Sequence, residues 1–184
     1  MAKRVDGAAM TGTSKQFVAD ALLPNYPPDV PMRLAHWAGL AFDRNRYSDF
    51  APAEIWDAVF KVHSGRPSEV AVISAGDLAL DRRPALIAPS REAVMSYLGA
   101  DFRFTSDHYV FSQNHEWICR LDQDVTLIAG DTNFIRQVVA SCGGLQSVMD
   151  LMLDDFDPGP SDSVGLRRYL AEITRTLRPS SNDD

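Results

Sequence analysis

His108-Tyr-Val-Phe-Ser112, Glu116-Trp-Ile-Cys-Arg-Leu121 and Val125-Thr-Leu-Ile-Ala129 are three short runs rich in β-branched and aromatic residues, separated by polar turns of three residues each. Runs of this length, bounded this way, predict an antiparallel meander over about residues 108–129. Alternation places Tyr109 with Phe111, Trp117 with Cys119 and Leu121, and Val125 with Leu127 on core faces. Val110, Ile118 and Ile128 fall on the reverse, which is also apolar, so helices are expected to cover the sheet on at least one side.

Working outward, Gly130-Asp-Thr ends the last strand and offers an N-cap for a helix through Phe134, Ile135, Val138 and Val139, stopped by Gly143-Gly144. Further helices are predicted over Leu145–Asp154 and Val164–Leu177, with the proline- and glycine-containing loop from Asp155 between them. Upstream, Glu69–Ser74 and Ala85–Ala88 read as brief strands, and Ser90–Leu98 as a short helix ended by Gly99. A helix is expected from Pro52 to about His63, with Gly65 as its stop, and a shorter one near Gln16–Leu23. Asp29 reads as an N-cap, and Leu34, Trp37, Ala38 and Ala41 share a face at helical spacing. Helices, then strands, then helices predict an α+β fold with an antiparallel meander plus short strands, flanked by N- and C-terminal helices. The expected division is a flexible arm over 1–14, a single domain over 15–178 and a flexible tail over 179–184.

The 184 residues include 18 Lys and Arg against 25 Asp and Glu, a net charge of −7. That balance opposes binding to a phosphate backbone, so no nucleic-acid partner is expected. No apolar run is long enough to span a bilayer and the N-terminus has no secretory core, so no membrane partner is expected and a cytoplasmic location is. Cys119 and Cys142 are too few for a disulfide framework, and Cys119 alternates with core residues as a packed thiol. Neither cysteine stands at zinc spacing from a second ligand, and His36, His63, His108 and His115 make no paired helical motif, so no metal is expected. Gly-x-Ser-x-Gly, Gly-x-Gly-x-x-Gly and phosphate-loop signatures are missing, and no cofactor is expected.

Asp150, Asp154, Asp155, Asp157 and Asp162 place five carboxylates within thirteen residues with no base among them. Acidic groups near a helix C-terminus oppose the helix dipole, which favours a role in docking a cationic surface. These carboxylates are expected to be exposed, with Tyr109 and His115 at the edge of the meander as the alternative contact region. His108 and His115 flank the first hairpin, where exposed turn histidines are expected. They also offer a second reading, an enzyme pairing His108 or His115 with Asp107 or Glu116, although adjacent strand residues point to opposite faces. A third is an accessory or scaffold subunit that docks through its helical C-terminus.

The stretch Asp107-His-Tyr-Val-Phe-Ser112, Trp117-Ile and Asp124-Val-Thr-Leu-Ile-Ala-Gly130 resembles the closing meander of small bacterial immunity proteins. Leu23-Pro24-x-Tyr26 is similar to the Leu-Pro-x-x-Tyr segment of the SMI1/KNR4-like immunity superfamily, one residue shorter. The resemblance implies a non-enzymatic cytoplasmic protein-binding domain that neutralises a cognate toxin; taken with the acidic segment, the expected partner is a basic toxin domain.

Overall fold

The structure, a computed structural model, describes residues 13–24, 29–64, 69–156 and 163–178. Six strands, β1 (Trp37–Asp43), β2 (Val70–Ser74), β3 (Ala85–Ile87), β4 (His108–Ser112), β5 (Trp117–Leu121) and β6 (Val125–Asp131), form one sheet in the order β1-β6-β5-β4-β2-β3. Every neighbouring pair is antiparallel. The helices are α1 (Ser14–Ala21), α2 (Ala53–His63), α3 (Ala75–Ala79), α4 (Arg91–Gly99), α5 (Thr132–Ser141), α6 (Leu145–Phe156) and α7 (Ser163–Ile173), so the chain has an α+β fold. Thr13, assigned from sequence to the arm, instead N-caps α1 by accepting the Gln16 N–H. Gly65, Tyr26, Asp157, Asp162 and the tail lie outside the described residues.

The meander forms as β4, β5 and β6, but its register corrects the expected sides: Val110 and Ile128 lie with Cys119 on one face, and Ile118 lies with Tyr109, Phe111, Arg120 and Leu127 on the other. Both faces are buried. On the first, Trp117 has no solvent exposure and lies between α2 and α5. It makes edge contacts with Phe60 and His63 and stacks on Phe134 with ring centroids 5.9 Å apart. The His63 Nδ1 accepts the Trp117 indole N–H at 3.3 Å, so this histidine belongs to the core. On the second face, Phe17 of α1 meets Trp37 and Phe111, and Ile173 of α7 lies over Gly39. The turn between β5 and β6 is closed by Asp122, whose Oδ1 accepts the N–H groups of Asp124 and Val125. Its other oxygen lies 3.3 Å from Arg120 Nε, so this buried carboxylate has an ionic partner.

The helix expected after Asp29 is corrected. Residues 37–43 are strand β1, paired along seven residues with β6 from Trp37↔Asp131 to Asp43↔Val125. Trp37-Ala-Gly-Leu-Ala-Phe is apolar throughout, and a run buried on both faces fits helical and strand periods alike. Pairing with β6 decides. Gly39 suits the strand, because a Cβ there would sit 3.2 Å from Met32 Sδ and 3.3 Å from Leu127 Cδ1.

The two outer strands are protected in different ways. Beside β1, α6 presents Met152 and Asp155 to the outward N–H groups of Ala41 and Asp43. At the far edge, β3 is three residues long and bracketed by Pro84 and Pro89, which shortens the surface a foreign strand could join. The other predicted elements form close to their expected limits, except that the C-terminal helix ends at Ile173 and continues as a 3-10 turn, Arg175–Leu177.

Candidate partner-binding surface

The acidic segment is built on α6, where helical spacing sorts the carboxylates by face. Val148, Met152 and Asp155 point inward and are buried. Asp150 and Asp154, one turn apart, are exposed and line an open cleft of about 630 Å³ with Leu151, Leu153 and Arg167 of α7. Gln146 donates to Asp150 at 2.7 Å, a second pair at the same spacing.

Asp155 corrects the expectation of exposure: only 3% of it is accessible. Its Oδ2 accepts the Asp43 backbone N–H at 2.7 Å and its Oδ1 accepts the Tyr47 hydroxyl at 2.6 Å, while Arg46 Nε lies 3.9 Å away. Burial pushes its carboxyl above the usual carboxylate range, against the opposing effect of these hydrogen bonds. The Tyr47 phenol is also pushed up, first by burial and then by the Asp155 carboxylate. The adjacent 3-10 turn, Arg44–Arg46, is capped by Asp43, whose Oδ1 accepts the Asn45 N–H at 2.8 Å. Arg46 Nη1 donates to the carbonyls of Asp154 and Asp155 at 2.5 and 2.6 Å, giving the C-terminus of α6 the cation its dipole favours. The acidic helix end is therefore fixed from below while Asp150 and Asp154 stay free to meet solvent.

Tyr109 and His115 sit elsewhere, and β4 is an inner strand paired with both β5 and β2 rather than an edge. Tyr109, half-buried, lines an apolar groove of about 280 Å³ with Val18 of α1, Leu22 just beyond its end and Leu78 of α3. His115 lies at the opposite end of the sheet from the turn 44–46 and helps line a polar cleft of about 480 Å³ with His36, Trp37, Glu116, Asp131 and Phe134. The structure does not bring Tyr109 and His115 together with Asp150 and Asp154.

His115 has a left-handed backbone (φ 61°) in the turn between β4 and β5, a position that favours glycine or asparagine. Two contacts hold it there: its N–H donates to Ser112 O at 3.0 Å, and its ring stacks on Phe17 with centroids 4.0 Å apart. Burial lowers its imidazole from the ordinary value. His108 is corrected from an exposed turn residue to a buried one, its Nδ1 2.8 Å from Ser106 O and its imidazole lowered chiefly by burial. The two pairs of the enzyme reading, His108 with Asp107 and His115 with Glu116, thus occupy opposite ends of the sheet. Among the described residues no group of three His, Cys, Asp or Glu side chains is placed to hold a metal ion. Cys119 is fully buried and its thiol is pushed up by burial.

Sequence reasoning missed Arg44, Arg46 and Tyr47, which organise the surface from beneath. The alternating arginines after Asp43 were its visible sign, but only the structure shows that α6 ends beside them. It also missed Phe102 and Phe104, exposed at 73% and 40% in the polar stretch before β4. Comparison with family models, curated proteins and solved structures gave no match. Among the described residues no helix is long and apolar enough to cross a membrane.

Proposed function

We propose that the chain is a non-enzymatic protein-binding domain that docks a cationic partner on the outer face of α6, and that it serves in the cytoplasm as an immunity protein neutralising a cognate toxin. The observation behind this reading is the division of labour within α6. Asp155 is turned inward to lock the helix on β1, and Asp150 and Asp154 project over an open cleft. With a net charge of −7, a rigidly held acidic rim speeds encounter with a basic surface and rejects acidic ones. The resemblance of the meander to immunity proteins selects a toxin domain among basic partners.

An immunity protein is encoded beside its toxin, so the product of the adjacent gene is the probe. Co-expression with this chain is expected to relieve growth arrest by that product. In stopped-flow mixing, the Asp150→Asn/Asp154→Asn variant is expected to associate more slowly and with a flatter salt dependence. An association rate unchanged by the variant removes the partner from α6, and failure of the two proteins to bind removes the immunity role.

A further inference from the structure

Phe102 and Phe104 are the exposed large aromatic side chains among the described residues, and their rings meet edge to face with centroids 6.0 Å apart. They are displayed on a firmly held segment. Asp101 and Phe102 both have left-handed backbone, φ 54° and 56°, and Arg103 braces them by donating to Tyr97 O and to the Asp101 carboxylate, each at 3.0 Å. The same guanidinium lies 4.3 Å above the Tyr97 ring, and Thr105 donates to Phe102 O at 2.9 Å. An aromatic pair held rigidly in water loses little conformational freedom when a partner covers it.

The turn Arg44–Arg46 relates this pair to the acidic helix. Arg44 donates to the carbonyl of Phe104 and to that of Asp122, while Arg46, two residues on, donates to the carbonyls of Asp154 and Asp155. The aromatic segment and the end of α6 are each within one arginine's reach of a single turn. Both lie at the end of the sheet where β1 stops and β4 starts.

We propose that Phe102 and Phe104 together with the acidic end of α6 form one docking surface for a basic amphipathic helix of the partner. This rests on the reading of α6 as the face for a cationic partner and adds the apolar half of the contact. A helix whose apolar stripe is bordered by Lys or Arg presents both chemistries in one element. Buried aromatic residues then supply the anchor and the carboxylates the orientation.

The probe is a synthetic helical peptide of Leu and Lys with its leucines on one stripe, beside a scrambled peptide of the same composition and a Leu/Glu counterpart. Fluorescence anisotropy at low and high salt reads binding to the full chain. The striped Leu/Lys peptide is expected to bind more tightly than both controls. Phe102→Ser/Phe104→Ser and Asp150→Asn/Asp154→Asn are each expected to weaken it about tenfold, with unchanged circular dichroism and melting temperature. Equal binding of the scrambled peptide, or no effect of the phenylalanine variant, overturns the proposal. If the aspartate variant alone weakens binding, the acidic face stands and the aromatic pair has no part in it. If the phenylalanine variant alone does so, the cationic reading of α6 falls and the combined surface with it.

Discussion

The carboxylate of Asp155 accepts the backbone N–H of Asp43 at 2.7 Å, across 112 positions of sequence. The contact is a side chain of α6 taking the hydrogen bond that a further strand beside β1 would have taken. It closes a sheet edge, anchors a helix and orients the acidic rim above it. Removing it leaves a buried N–H and the Tyr47 hydroxyl without their acceptor, so Asp155→Ala is expected to cost about 2–4 kcal/mol by chemical denaturation. Asp155→Asn keeps an oxygen to accept one of the two bonds and is expected to cost less. If alanine and asparagine were equal and both below ~0.5 kcal/mol, the contact would have no structural weight.

The same residue sets a sign for the pH dependence. Its carboxyl titrates above its ordinary value of 3.8 in the fold, chiefly because of burial, so the folded state holds the proton more tightly than the unfolded state. Stability from this group is complete below the unfolded value and is lost as pH rises through the folded one. His108 works in the other direction at higher pH. Burial holds its imidazole below the ordinary 6.5, so its contribution is present above that value and is lost as pH falls through the folded one. Denaturation across both windows is expected to show Asp155→Asn removing the decline on the rising side of pH 3.8 while leaving the histidine-linked loss in place. A decline that survives in the asparagine variant assigns it to another carboxyl.

Trp117→Ala is expected to cost about 3–5 kcal/mol in chemical denaturation, the usual range for truncating a large buried aromatic. Phe60, His63 and Phe134 all lose a ring partner at once, and the His63 nitrogen loses its donor. Trp117→Phe is expected to cost less, because it keeps the stack on Phe134 and gives up the indole N–H. A loss below ~1 kcal/mol for alanine would contradict the burial of this ring.

The meander was legible because Tyr109 to Ala129 alternates between short β-rich runs and polar three-residue turns, a local signal that tertiary structure did not override. Strand β1 was not, because Trp37 to Phe42 is apolar at every position and its period is ambiguous; the deciding partner, β6, lies some ninety residues away. The site shows the same limit. Asp150 and Asp154 share a face by helical spacing alone, so a common environment for the two follows from the sequence. Asp155 stands one residue further on, and its inward aim depends on where the edge of β1 runs. Phe102 and Phe104 sit in a polar stretch with no periodicity, where sequence offers no measure of which side chains the fold leaves uncovered.

Two glycines give the last test, because the same substitution has opposite expected signs. At Gly130 in β6, a Cβ would lie 2.7 Å from the Glu116 carbonyl oxygen and 2.9 Å from Trp117 Cβ. Those neighbours are the residue just before β5 and the first residue of β5, so relief requires the two strands to separate there. Gly130→Ala is therefore expected to destabilise by about 1–3 kcal/mol, as overpacking does in a well-filled core. Gly99, the last residue of α4, has helical φ and ψ of −71° and −26°, with nothing within 4 Å of an added Cβ. Gly99→Ala lowers the entropy of the unfolded chain and is expected to stabilise by about 0.4–1 kcal/mol. Paired thermal melts of the two variants measure both signs, and a Gly130→Ala protein as stable as the parent would mean that β5 and β6 do not approach this closely at Trp117.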